Sequence, residues 1–239
     1  MAEISIPDEE RQALEQVVGA AEGEFGAALR SLTLFGSATR GAYVPGRSDL
    51  NLLVVLREAP ADGLRRFADA VAKARETVRL EPYLLRRDEL PLLARHFPTR
   101  LWDMCRSYVV LKGEDVLAGL RPDPKAIQTR AEQELFNLVL RLRRAIATPP
   151  DRSWAQTLAG CVRVFTKGLR HLLLATTGEH VEARAELFPR AAAQWGLDES
   201  VLLQLDAWRA GRVPFTEEEA RVAAELLLEA VQQVVDRRE

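Results

Sequence analysis

The residues best suited to chemistry in this 239-residue chain lie in two short segments, Leu34-Phe35-Gly36-Ser37 and Ser48-Asp49-Leu50-Asn51. A glycine that ends an apolar run lets backbone amides approach a phosphate closely. The Ser37 hydroxyl and the turn after it add donors suited to a triphosphate. Asp49 and Asn51 are two apart on a predicted strand, so their side chains share a face and would jointly hold a metal ion. Glu81, in Arg79-Leu80-Glu81-Pro82-Tyr83, sits on another predicted strand and would supply a third oxygen ligand. Arg40 and Arg47 lie in the loop between the two segments. There they would pair with phosphate oxygens or stay solvated as ordinary loop arginines.

Each of these residues also has a plainer reading. A Gly-Ser pair commonly ends a strand, and Asn51 would equally serve as a polar strand-edge residue in a chain that never held a metal. Lys112 and Glu114, beside Gly113, either border a cleft or simply form a turn after a strand. His96, His171 and His180 lack companion ligands at useful spacing, so no zinc site is expected. Cys105 and Cys161 show neither paired spacing nor a disulfide pattern and read as buried free thiols.

The elements that must carry these residues follow from hydrophobic periodicity. Pro7 with Asp8, Glu9 and Glu10 opens a helix, because proline suits the first turn and carboxylates suit the positive end of the dipole. Leu14, Val17, Val18, Ala21, Phe25 and Leu29 then recur at helical spacing. Strands are predicted at 31–35, 50–56, 78–85 and 108–111, the second being a nearly continuous apolar run of the kind buried on both faces of a sheet. A helix is expected over 60–77 and another helical stretch from Asp88. Beyond Arg121-Pro122-Asp123-Pro124 the strand signal ends, which sets a boundary between 1–124 and 125–239. Helices are then expected over 125–147, 152–176, 182–195, 198–209 and 216–236, forming a bundle, with Pro149-Pro150 among the breaks.

The Gly-Ser pair, a loop of about a dozen residues, Asp49-Leu50-Asn51 and the later Glu81 together resemble the DNA polymerase beta-like nucleotidyltransferase superfamily. The similarity spans roughly residues 30–120. In layout the chain is similar to bacterial two-domain members with a helical second domain, including antibiotic-modifying adenylyltransferases. The resemblance implies an α+β nucleotidyltransferase fold, a small mixed sheet with flanking helices, followed by an all-α helical bundle. It also implies transfer of a nucleoside monophosphate from a nucleoside triphosphate to a hydroxyl or phosphate acceptor with two magnesium ions. Gly36 and Ser37 would hold the triphosphate, Asp49 would ligate metal, and Glu81 would be the base toward the acceptor hydroxyl. The acceptor in such enzymes sits in the cleft between the two halves.

Asn51 departs from that pattern, which calls for a second carboxylate. An amide offers one neutral carbonyl oxygen where two dications need anionic ones. Losing even an outer partner of a metal site costs roughly 10 to 100-fold, so this change should weaken Mg2+ binding and catalysis by at least as much. The expectation is therefore a nucleotide-binding, nucleotidyltransferase-like protein with impaired or absent catalysis. One alternative is an active magnesium-dependent transferase acting on a small-molecule or protein hydroxyl. Another is a non-catalytic scaffold that docks a partner or forms a homodimer.

The second half adds weaker signals. Residues 159–177, with Arg163, Lys167, Arg170 and His171 on an otherwise apolar helix, resemble nucleotide-binding helical bundles that accompany such transferases. The arginine and histidine spacing does not match the ribonuclease form of these bundles. Trp154, Trp195 and Trp208 fall on apolar faces and read as core residues rather than base-stacking platforms. Glu132, Glu134 and Glu186 would suit a cationic acceptor such as an aminoglycoside, or simply face water.

Composition narrows the classes. Hydrophobic residues make up 47% and charged residues 28%, which suits a packed globular chain rather than a disordered one. The net charge of -2 comes from interspersed charges, so nucleic acid is not indicated. No apolar run approaches the roughly 20 residues of a membrane span. The N-terminal residues do not read as a secretory signal, so a cytoplasmic protein is expected.

Overall fold

A computed structural model describes residues 4–148 and 153–237, which fall into two compact units, Met1–Pro122 and Asp123–Glu239. In the first, α1 (Asp8–Phe25) starts after Pro7 with Asp8, Glu9 and Glu10 in its first turn. Its apolar stripe, Leu14, Val17, Ala21 and Phe25, is buried. The strands are β1 (Leu29–Phe35), β2 (Leu50–Leu56), β3 (Leu80–Arg86) and β4 (Tyr108–Gly113), in the sheet order β3-β2-β1-β4. β1 runs antiparallel to both β2 and β4, while β2 and β3 are parallel, so the sheet is mixed. A parallel pair needs a crossover, and α2 (Ala61–Ala74) supplies it.

The apolar run of β2 is buried on both faces. Leu50, Leu52, Val54 and Leu56 join the core formed with α1 and α2. Leu53 and Val55 join a second core with Phe35, Leu93, Leu101 and Met104, under α3 (Leu90–His96) and α4 (Pro98–Arg106). The helical stretch predicted from Asp88 is therefore two helices. Pro98 forces Phe97 out of the helical region, to φ -131°, and a new helix begins at the proline. β3 starts at Leu80 rather than Val78, because the Val78 amide is held by Ala74 O at 2.9 Å in the turn that follows α2. β1 begins at Leu29, two residues before the expected start, with an irregularity between Leu29 and Ser31.

The second unit is helical: α5 (Pro124–Ala147), α6 (Trp154–Thr177), α7 (Arg184–Trp195), α8 (Glu199–Arg209) and α9 (Glu217–Asp236). Asp123, Ser153, Asp198 and Thr216 cap the starts of α5, α6, α8 and α9 with side-chain oxygens. Gly178 and Gly196, both left-handed, close α6 and α7. The expected break at Pro149-Pro150, and residue 152 where a helix was predicted to start, lie outside the described residues. Trp195 is buried, and Trp154 and Trp208 pack against the same core, as apolar helix faces dictate. Cys161 is fully buried but Cys105 only half so, because it lies at the rim of the α4 core. Burial pushes both thiols above their ordinary range, which makes them poor nucleophiles. No helix among the described residues is long and apolar enough to cross a membrane.

Candidate functional site

One end of the sheet collects the residues of the two motif segments. β1 ends at Phe35, which is in register with Asn51 on β2 and Tyr108 on β4. Asn51 is in turn in register with Glu81 on β3. Register partners in a sheet project to the same face, so Phe35, Asn51 and Glu81 form a row across three strands. Asp49 lies one residue before β2 rather than within it, and the Leu50 amide bonds to Arg79 O at 2.7 Å.

Gly36 makes the turn that leaves β1. Its φ of 97° and ψ of -146° belong to a region that side chains rarely adopt. A Cβ there would also sit 3.1 Å from Asn51 Nδ2. The turn continues as a short 3-10 segment, Ser37–Thr39, fixed by a reciprocal clamp. Thr39 Oγ1 donates to Ser107 O at 2.9 Å, and Ser107 Oγ donates to Thr39 O at 2.9 Å. Ser37 is half-exposed at the start of this segment, and Arg40 closes it with a backbone bond to Ser37 O at 3.2 Å. Arg47 lies exposed in the loop before β2. That loop is anchored by Tyr43, which packs against the α1 and α2 core. Burial, with Glu10 and then Asp49 nearby, pushes the Tyr43 phenol well above its ordinary range.

The carboxylates at this end are already paired with cations. Arg79 Nε lies 2.7 Å from Asp49 Oδ1, and Arg75 Nη2 lies 3.3 Å from Glu81 Oε1. Arg75 is held in place by Nε, which donates to Leu80 O at 2.8 Å. The Asn51 amide donates through Nδ2 to the Asp49 backbone carbonyl at 3.2 Å. A third guanidinium, Arg100 on α4, stands over the Tyr83 ring at 4.6 Å from its centroid, and Tyr83 is on the Glu81 face. Sequence reasoning missed Arg75, Arg79, Tyr83 and Arg100. Arg79 and Tyr83 carried a usable signal, each being two residues from Glu81 along the chain.

A pair of magnesium ions, as the resemblance implies, is poorly matched by this donor set. Holding dications needs a surplus of anionic oxygen. Here Asp49 and Glu81 contribute two negative charges, Arg75 and Arg79 contribute two positive ones, and Asn51 contributes none. Among the described residues no group of three His, Cys, Asp or Glu side chains is gathered where a metal ion could sit.

Other candidates lie elsewhere. Lys112 pairs with Glu22 at 2.9 Å, and Glu114 pairs with Arg30 and Arg87. Lys112 is in register with Leu32, so it lies toward the opposite end of β1 from Gly36 and does not border the turn. Arg170 is committed to the carbonyls of Val181 and Glu182, at 2.7 and 2.9 Å. His171 is buried in α6, His180 pairs with Glu182 at 3.0 Å, and His96 is exposed. Glu132 and Glu134 interact along α5 with Gln128 and Arg130, and Glu186 lies exposed on α7.

No family model matches the sequence, and neither does any curated protein. Among solved structures, the chain is similar to the crystal structure of spectinomycin adenyltransferase AAD(9) from Enterococcus faecialis with ATP and spectinomycin. The identity is 13%, over 93% of this chain and 99% of that one, with a TM-score of 0.62. A nucleotidyltransferase-like protein from Exiguobacterium sibiricum also aligns, at 13% identity over 93% of this chain and 74% of that one, with a TM-score of 0.38.

Proposed function

On a chain with the nucleotidyltransferase fold and a helical second unit, we propose a nucleotide-binding protein whose transfer chemistry is impaired or absent. The triphosphate sits on the Gly36-Ser37 turn, where the absent side chain of Gly36 admits phosphate oxygens to backbone amides. Arg40 and Arg47 approach the same phosphates from the loop. Asp49 and Glu81 occupy the remaining carboxylate positions, with Glu81 on the side where an acceptor hydroxyl would lose its proton. The observation that carries the reading is Asn51, in register with Glu81 and packed against Gly36, with a neutral amide where metal-assisted transfer needs a charge. A loss of ~100-fold corresponds to about 2.7 kcal/mol in the barrier or the metal affinity.

The test is titration of the full chain with ATP, GTP, CTP and UTP, together with pyrophosphate release in magnesium or manganese. The release assay includes hydroxyl acceptors, among them spectinomycin and other aminocyclitols. Binding without pyrophosphate release is the expected result, and Asn51→Asp should bring release up. No nucleotide binding at millimolar concentration would remove the proposal.

A second reading, an active magnesium-dependent transferase acting on a small-molecule or protein hydroxyl, draws on the exposure of both ion pairs. The side chains of Arg75 and Arg79 are 48% and 63% exposed. Exposed pairs contribute only about 0–1 kcal/mol, so a dication would have little to displace. Pyrophosphate release by the unaltered chain with any acceptor would favour this reading over the first.

A further inference from the structure

We propose that Arg75 and Arg79 take the place of the divalent metal, so that this site binds a nucleoside triphosphate without magnesium. The inference rests on the proposed nucleotide binding and concerns how the phosphate charge is met.

In a carboxylate-built site a dication bridges protein anions and phosphate anions. Remove the dication and the two sets of anions repel each other. At this sheet end the repulsion is already cancelled, because each remaining carboxylate carries a guanidinium: Asp49 with Arg79 at 2.7 Å and Glu81 with Arg75 at 3.3 Å. The third position, Asn51, has lost its charge altogether. Its amide presents Nδ2, a donor, toward Asp49 O and Gly36. Three changes therefore point the same way, from anionic acceptors toward cationic or neutral donors.

Each guanidinium has five N–H donors, so it can keep its carboxylate and still offer donors to a phosphate oxygen. Arg75 is tethered through Nε to Leu80 O, which keeps its head beside Glu81, and its side chain is 48% exposed. Arg79 is more exposed and belongs to the segment that leads directly into β3. A planar guanidinium matches two phosphate oxygens at once and keeps its charge at any working pH. Adjacent strands are spaced about 4.8 Å apart, so β3 is roughly 10 Å from the Gly36 turn across β2, within reach of a triphosphate and a long arginine side chain together.

The experiment is calorimetric titration of the full chain with ATP, once with EDTA and once with excess magnesium chloride, repeated for Arg75→Ala, Arg79→Ala and the double variant. Both residues are exposed, so the variants should fold, and circular dichroism checks that they do. The unaltered chain should give the same Kd in both buffers. In EDTA each single variant should bind about tenfold more weakly, the loss expected for one charged hydrogen bond. The double variant should recover part of its affinity when magnesium is added. Binding that requires magnesium in the unaltered chain, or variants that bind as well as the parent in EDTA, would overturn the inference and leave nucleotide binding standing. Absence of binding in both buffers would instead remove the nucleotide reading itself.

Discussion

A Cβ on Gly36 would meet Asn51 Nδ2 at 3.1 Å, so the turn that ends β1 and position 51 on β2 are packed as one unit. The glycine is needed twice there, for its positive φ of 97° and for the close approach.

Gly36→Ala should accordingly destabilise the first unit by about 1–3 kcal/mol, the cost of a side chain in a glycine-only backbone region. Urea denaturation reads that loss. ATP titration of the folded variant should also show weaker binding, since the methyl group narrows the approach to the turn amides.

The two long helices of the second unit pack closely at Gly168, where a Cβ would fall 2.5 Å from Leu135 Cδ2. Leu135 is fully buried within the helical core, so it can move aside only by displacing packed neighbours. Gly168→Ala should therefore cost about 1–3 kcal/mol through overpacking, despite the better helix propensity of alanine. A lowered urea midpoint with an unchanged slope is the expected signature.

Asp206, 5% exposed, binds three arginines: Arg184 at 3.0 Å, Arg209 at 2.8 Å and Arg212 at 2.5 Å. Removing it leaves three like charges together. A fully enclosed pair broken this way costs roughly 3–5 kcal/mol, and the partial exposure of Arg184 and Arg212 reduces that here to about 2 kcal/mol. Asp206→Ala measured by urea denaturation should show this loss, and adding Arg212→Ala should return part of it by relieving the repulsion.

Glu219 closes the capping box of α9, accepting from the Thr216 amide at 2.6 Å and the Thr216 hydroxyl at 3.0 Å. Those bonds, the backbone one first, hold its carboxyl below the ordinary range. Stability from a depressed carboxyl is fully present above the unfolded pKa, about 4.3 for glutamate, and is lost as pH falls through the lower folded value. Denaturation midpoints followed downward from pH 5 should therefore fall more steeply in the parent chain than in Glu219→Gln, which has no carboxyl to protonate.

Several features were legible in the sequence because they depend on neighbours in the chain. The span of β2 followed from its nearly continuous apolar run, the start of α1 from Pro7 and three acidic residues, and the helical second half from periodicity. The motif could be located for the same reason: Gly36-Ser37 and Asp49-Leu50-Asn51 are defined by spacing, and the neutral amide at position 51 is plain from the sequence. Other boundaries needed the folded chain. Val78 stayed in the turn after α2 rather than joining β3 because its amide was claimed by Ala74 O, and one predicted helix became α3 and α4 at Pro98.

What the sequence determined by itself was the spacing of the two segments, Gly36-Ser37 and Asp49-Leu50-Asn51, and the neutral amide at position 51. Tertiary structure alone decided how the remaining charges are met. Parallel pairing of β2 with β3 sets Glu81 beside Asn51, and the return of the chain through the end of α2 brings Arg75 and Arg79 onto Glu81 and Asp49. The pairing of Arg75 with Glu81 depends on a backbone tether to Leu80 O and that of Arg79 with Asp49 on strand register. Neither leaves a mark in composition or periodicity, because a charge is the same letter in a sequence whether it faces water or an opposite charge.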